Sequence, residues 1–240
     1  MVKPLWFIAG ARKFTIFWDW VDRVNFVDKI IVRYHHHAKA HEIALQYFRQ
    51  HPEYDSFIIS SDDVLGTPDM VRMVIEDYEK HKFPVVSGWC NVKLGVPWAS
   101  VSILGATREA LRTRNTTYDS YRFINMDEIL LAKYAHGTWP FFKAWFVGLP
   151  LTLVTRETLT KVPFRPFKVF KDRFCVTPDT AHGRGIMFDL QFCWDCAQNK
   201  IPITIDSRIF LLHFGFTGNY VLVGKEKPSI SVVKATEPLH

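Results

Sequence analysis

The first ninety residues alternate between short apolar runs and stretches of helical periodicity, and this order constrains the fold more than any other feature of the chain. Strands are expected over residues 4–9, 28–34 and from Phe57 to Ile59, with a further one from Phe83 to Trp89. Between them lie an aromatic amphipathic stretch over 14–24 and a helix from Ala38 to Gln50, which carries Ala40, Ile43, Ala44, Tyr47 and Phe48 on one side and ends at Pro52. A third helix starts where Thr67 can cap it and Pro68 suits its first position, with Met70, Val71, Val74, Ile75 and Tyr78 as its apolar stripe. Such βαβ repetition predicts an α/β domain with a mostly parallel central sheet flanked by helices and right-handed crossovers. At 240 residues, 48% of them hydrophobic, the chain can bury the core of one sizeable domain.

The third strand runs straight into Ser60, Ser61, Asp62 and Asp63. In open α/β sheets ligands bind outside the carboxyl ends of the strands, and hard divalent cations prefer carboxylate oxygens shared with phosphate. Two adjacent carboxylates at that edge suit a cation, although an Asp-Asp turn in water has the same sequence.

A second acidic position opens the block GIMFDLQFCWDCAQNKIPITIDSRIFLLHFG, residues 185–215. Phe188, Phe192 and Cys196, with Cys193 and Ala197, give this helix one buried face. Asp189 lies in its first turn, where unpaired amides and the helix dipole favour an ionised carboxylate able to accept a proton. The same dipole also accounts for an ordinary helix-start aspartate. A short strand and His213 follow.

At these two blocks the chain resembles the GT-A glycosyltransferases, most closely the family 2-like inverting enzymes that use a nucleotide-sugar donor, and the resemblance covers most of the chain. The family's Asp-x-Asp motif corresponds to Ser60–Asp63, and its later Glu-Asp, Phe-Cys-like helix, Asp-Pro-like turn and His-x-Gly correspond to Phe188-Asp189, Gln191-Phe192-Cys193, Asp206-Ser207 and His213-Phe214-Gly215. Ser60 and Phe188 stand where the family has its first Asp and its Glu, and Arg33-Tyr34 replace the acidic pair that many relatives place against the nucleotide base. The resemblance implies a GT-A, Rossmann-like fold with a smaller acceptor-side antiparallel element. It implies Asp62 as the metal-holding carboxylate for Mn²⁺ or Mg²⁺, helped by Asp63 and His213, with Ser61 beside the donor and Asp189 as the catalytic base. The partners so implied are a nucleotide-sugar donor and an acceptor of unknown kind, whether glycan, protein or lipid-linked. One GT-A-like domain is expected over 1–240: a nucleotide-sugar-binding half over 1–90, an acceptor and catalytic half over 91–218, and a C-terminal hairpin or tail over 219–240.

Gly10, Arg12 and Lys13 follow the first strand, where a glycine permits close backbone approach and the cations can meet phosphate; a turn alone also accounts for the glycine. His35, His36 and His37 cannot all face one ion from regular structure and are read as a loop or helix entry. Residues 163–185 are expected to form a loop whose cations Arg165, Lys168, Lys171, Arg173 and Arg184 suit a lid over a diphosphate or simply a solvated segment. Less structure is legible from 91 to 134, where a strand is expected from Trp98 to Leu104 and a helix around Met126 to Ala135. Phe141 to Arg156 reads as a strand pair or one bent strand, and Arg156 to Val162 as a short helix. Towards the end, 219–224 and 229–233 form an expected edge hairpin, with Glu237 to His240 frayed. Trp89, Trp98 and Trp145 are the aromatics placed to meet a sugar or base, though large aromatics are mainly core material.

A net charge of +6 attracts nucleotide diphosphates, anionic membranes and nucleic acid alike. Basic residues are spread along the chain rather than gathered in a stripe, which makes nucleic acid an unlikely partner. No apolar run reaches the ~20 residues needed to span a bilayer, and none near Met1 has the length of a signal-peptide core, so a cytoplasmic protein, peripheral to a membrane at most, is expected. Cys193-x-x-Cys196 lies within a helix without zinc spacing and reads as packing thiols. Two other classes share these features: a metal-dependent nucleotidyltransferase, and a non-catalytic protein that binds nucleotides or nucleic acid.

Overall fold

The computed structural model describes residues 2–10, 15–35, 37–91, 99–102, 127, 129, 140–165, 188–214 and 227–239. Its strands are β1 (Pro4–Gly10), β2 (Asp28–Arg33), β3 (Ser56–Ser61), β4 (Val64–Leu65), β5 (Val85–Cys90), β6 (Val101–Ser102), β7 (Phe141–Ala144), β8 (Phe146–Val147), β9 (Leu151–Thr155), β10 (Ile203–His213) and β11 (Ser229–Val233). The helices are α1 (Thr15–Arg23), α2 (His37–Gln50), α3 (Pro68–His81), α4 (Arg156–Lys161) and α5 (Phe188–Gln198).

One nine-stranded sheet runs in the order β11-β2-β1-β3-β9-β5-β10-β4, with β7 also on β10, and β6 pairs with β8 in a two-stranded sheet. The first three α/β units form as the apolar pattern predicts. Along β1 the side chains alternate, Leu5 and Phe7 facing one layer and Trp6 and Ile8 the other. Ala40, Ala44 and Phe48 of α2 join Phe192 and Cys196 of α5 on the first face. On the second face Phe17, Trp20 and Val21 of α1 meet Val71, Val74 and Ile75 of α3. Each large side chain so buried contributes about 1.5–3 kcal/mol. Helix α3 is capped by the Thr67 hydroxyl, which accepts from Met70 N at 3.4 Å, and ends at Lys82, whose φ of 55° is left-handed.

The sheet is mixed rather than mostly parallel. Among the described residues only β1–β2, β1–β3 and β5–β10 pair in parallel, whereas β9 lies antiparallel between β3 and β5. Ser60 pairs with Leu151, so β9 enters at the end where β3 leaves; a strand that enters there can only run back. The edge strands β11 and β4 are antiparallel as well. Even so, β1, β2, β3, β5 and β10 share one direction, and their carboxyl ends form one edge of the sheet.

Three other expectations change. Asp206 and Ser207 lie inside the 11-residue β10, where the register against β5 shifts between Ile205 and Phe210, so they form a bulge and not a turn between elements. Residues 237–239 are tied down: Thr236 N and Glu237 N donate to Asn25 O at 2.8 and 3.2 Å, and Arg72 donates to Leu239 O. In place of a strand pair or one bent strand, residues 141–155 make three strands, β7, β8 and β9. Residues 219–224, most of the 163–185 loop and most of the 126–135 helix lie outside the described residues, within which Asp127 and Ile129 are helical. Among the described residues no helix is long and apolar enough to cross a membrane.

Candidate functional site at the carboxyl edge of the sheet

The connections from β1 place the site. Strand β2 lies on one side of β1 and β3 on the other, with α1 and α2 on opposite faces, so the chain reverses its winding at the carboxyl ends of β1 and β3. A crevice opens at such a switch point because the flanking connections diverge. The Ser60–Asp63 segment leaves the sheet there.

Ser60 faces the α1 layer, its hydroxyl accepting from Trp6 Nε1 at 2.9 Å within the core. An aspartate at this position would meet an indole, and the serine is explained by that bond. Ser61 donates its hydroxyl to Asp63 Oδ1. Asp62 is buried, 4% exposed. The chain then turns into β4, where Val64 pairs with His213 and Phe214 N donates to Asp63 O at 2.9 Å. That register sets His213 Nε2 3.3 Å from Asp63 Oδ2.

Asn91, which the sequence did not single out, completes the arrangement. It follows β5 directly and is 4% exposed. Its side-chain amide accepts from His213 N at 3.0 Å and donates to His213 O at 3.1 Å, continuing the ladder between β5 and β10 as a backbone peptide would. Its own carbonyl lies 3.0 Å from His213 Nδ1. A carbonyl can only accept, so Nδ1 carries the hydrogen and Nε2 is the nitrogen turned to Asp63. Between Nε2 and a carboxylate the favourable occupant is a positive charge, either a proton on the ring or a cation held by both groups. The signal in the sequence was faint: one amide side chain directly after an apolar strand.

Gly10, Arg33 and Trp18 make the neighbouring corner. A Cβ on Gly10 would come within 2.8 Å of the Trp18 ring, so the glycine has a packing reason. The Arg33 guanidinium lies 3.9 Å over the same ring. Tyr34 follows with φ 58°, its amide donating to Gly10 O at 3.0 Å. Arg12 and Lys13 lie outside the described residues, and so does His36; His37 begins α2, as a helix entry should.

Asp189 occupies the first turn of α5 and is partly exposed. Its neighbour Phe188 stacks on His41 in the first turns of α2 with ring centroids 4.3 Å apart and an angle of 6°. This contact brings the start of α5 to the same edge as the end of β2, on the α2 face. Cys193 and Cys196 are buried in that layer, and burial pushes the Cys196 thiol up to about 12, as packing thiols require. Trp89 is core, donating from Nε1 to Ser207 O at 3.0 Å; Trp145 packs on Trp194, and Trp98 lies outside the described residues.

The side chains that could hold a cation here are the Asp63 carboxylate and His213 Nε2, with Asp62 adjacent in sequence. Among the described residues no three His, Cys, Asp or Glu side chains are grouped to hold a metal ion. One or two carboxylates fit a hard ion that keeps its remaining positions for substrate oxygens, as Mg²⁺ commonly does.

Two features lie away from this edge. At the opposite edge a cavity of about 650 Å³ is lined by Asp55, Pro84, Thr155, Lys161, Lys200 and Pro202, and holds none of the candidate catalytic, donor-binding or metal residues. Under the β10 bulge, Arg208 donates to both Asp206 oxygens and, at 2.9 Å, to Asp77 Oδ1. Burial and then the neighbouring Asp206 push the Asp77 carboxyl up to about 8, against the opposing pull of Arg208. Asp77 Oδ2 has no partner in its ionised form, and a proton there would be donated to Asp206.

No family model matches the chain, and no curated protein matches it. Among solved structures it is similar to A197 from STIV, with a TM-score of 0.55 and 17% identity over 98% of this chain and 95% of that one. This likeness concerns the fold, an α/β arrangement with a central mixed sheet. The inositol-1-phosphate CTP transferase from T. maritima aligns over 90% of both chains at 9% identity and a TM-score of 0.42, too low to carry an argument.

Proposed function

We propose that the chain is a GT-A-type glycosyltransferase that takes a nucleotide-sugar donor at the carboxyl edge of its sheet. The observation that supports this reading most is the meeting of Asp63 and His213, 150 residues apart in sequence, beside the point where the sheet reverses its winding. A pair built to share a positive charge suits the diphosphate of a nucleotide more than an uncharged ligand.

In this reading Asp63 and His213 would hold a Mn²⁺ or Mg²⁺ ion, with Asp62 next in the chain and the remaining positions left to substrate oxygens. When bound, that ion offsets charge on the departing diphosphate. Asp189 takes the proton of an acceptor hydroxyl while the acceptor oxygen bonds to the anomeric carbon. The bond from that carbon to the diphosphate oxygen breaks, and the nucleoside diphosphate leaves with the electron pair. Attack from the face opposite the leaving group inverts the anomeric centre. Asp189 lies in the first turn of α5 and is partly exposed, so an acceptor could reach it.

Calorimetric titration with a panel of nucleoside diphosphates and their sugars, first with Mn²⁺ and then with the metal chelated, tests the proposal. Metal-dependent binding of a nucleotide sugar, followed by release of nucleoside diphosphate on turnover, supports it. Release of pyrophosphate instead would identify nucleotidyl transfer and overturn it, as would an absence of any metal-dependent nucleotide binding.

A further inference from the structure

We infer that Asn91 is a positioning residue that fixes the His213 imidazole with Nε2 toward Asp63, and so prepares the cation site before any ligand arrives. The inference rests on the cation reading of the preceding section and extends it to a residue that touches neither cation nor substrate.

Three bonds join Asn91 to His213, and each restrains a different degree of freedom. The side-chain amide grips His213 N at 3.0 Å and His213 O at 3.1 Å, which sets the backbone of the last β10 residue. The carbonyl 3.0 Å from Nδ1 then sets the ring's rotation and its tautomer. With the ring so held, Nε2 lies 3.3 Å from Asp63 Oδ2. A ligating histidine performs best when its second nitrogen donates to a fixed acceptor, because ring orientation and basicity are then set in advance; losing such a partner commonly weakens metal affinity by about 10- to 100-fold. At 4% exposure Asn91 exchanges these bonds with little water.

The other side of the site depends on the same residue. β10 ends between two neighbours, with Asn91 on one flank and β4 on the other, where Phe214 N donates to Asp63 O at 2.9 Å. Asp63 therefore holds its place relative to His213 through a backbone bond one residue further on. Removing the Asn91 amide frees the β10 end on the β5 side, and Nε2 and the carboxylate lose their common frame. A smaller side chain leaves the Asn91 carbonyl in the chain but no longer braced against His213.

Mn²⁺ alone is the probe, with its affinity measured by electron paramagnetic resonance on the full chain. Asp63→Ala should abolish binding. Asn91→Ala, shown to be folded by circular dichroism, should weaken binding by about 10-fold or more. Wild-type affinity in folded Asn91→Ala would overturn the positioning role and leave the cation site standing, whereas no Mn²⁺ binding by the wild type would overturn the cation reading itself. A second measurement does not depend on the variant folding: ¹⁵N resonance of the neutral His213 ring in the wild type should show the hydrogen on Nδ1. A ring carrying it mainly on Nε2 would overturn the inference.

Discussion

His213 Nε2 lies 3.3 Å from Asp63 Oδ2 although the two residues are separated by 150 positions in the chain. What brings them together is backbone pairing: two residues of β4 lie antiparallel to the end of β10, and that register fixes the side chains. The acidic segment and the histidine end of the later block therefore meet through their strands at the edge where an α/β sheet binds its ligands.

If Asp189 is the base, replacing it with Asn should leave nucleotide affinity close to wild type, since the residue would meet the acceptor and not the diphosphate. Turnover should fall by about 10²- to 10⁴-fold. Steady-state kinetics paired with calorimetry checks this, and normal turnover in Asp189→Asn would remove it from the role.

The Asp77 carboxyl gives a pH signature unrelated to the site. Its folded value is raised to about 8, above the ordinary 3.8, by burial and by Asp206. Between those two values the folded state holds a proton that the unfolded state has released, so stability falls as pH rises across the window and is flat above it. Asp77→Asn can still accept from Arg208 and can donate to Asp206 without a proton to lose. Denaturation at pH 5, 7 and 9 should show the slope in the wild type and its loss in the variant.

Arg156 fastens the end of α2. Its guanidinium donates to Phe48 O, His51 O and Tyr54 O at 2.8, 2.8 and 2.7 Å while lying 3.9 Å over the Phe48 ring, and so satisfies carbonyls that a helix terminus leaves open. A lysine cannot present a planar fork to three acceptors. Arg156→Lys should cost about 1–3 kcal/mol by urea denaturation.

At the far edge of the sheet, Asp28 accepts from Tyr54 at 2.6 Å, Ala235 N at 2.8 Å and Lys234 at 3.0 Å. Burial alone would raise the Asp28 carboxyl, but these three donors together hold it below the ordinary 3.8. The stability this contributes is complete above that value and is lost as pH falls through the lower folded value. Lys234→Met removes one donor, so acid unfolding should begin at a higher pH than in the wild type, as followed by tryptophan fluorescence.

How much of this the sequence discloses depends on the range of the interaction. Thr67 and Pro68 act within one turn, and the α3 start they predict is where the helix begins. The apolar run into Ser60–Asp63 likewise discloses a strand end. Strand direction is another matter: Leu151 to Thr155 reads as a strand, but its antiparallel place between β3 and β5 is set by partners 91–99 and 65–69 residues earlier. Asn91 and Asp77 were missed for a related reason. A polar residue beside an apolar stripe looks solvated until the distant group that satisfies it, His213 or Arg208, is in view. Phe188 proved to be a core residue stacked on His41.

The location of the cation and its nucleotide is the most direct test of the account. Mn²⁺ added with the preferred nucleoside diphosphate should broaden amide resonances of Ser61, Asp62, Asp63, Asn91 and His213 in the labelled protein, and Asp63→Ala should abolish the effect. Broadening centred instead on Thr155 to Lys161 at the opposite edge, or none at saturating nucleotide, would contradict it.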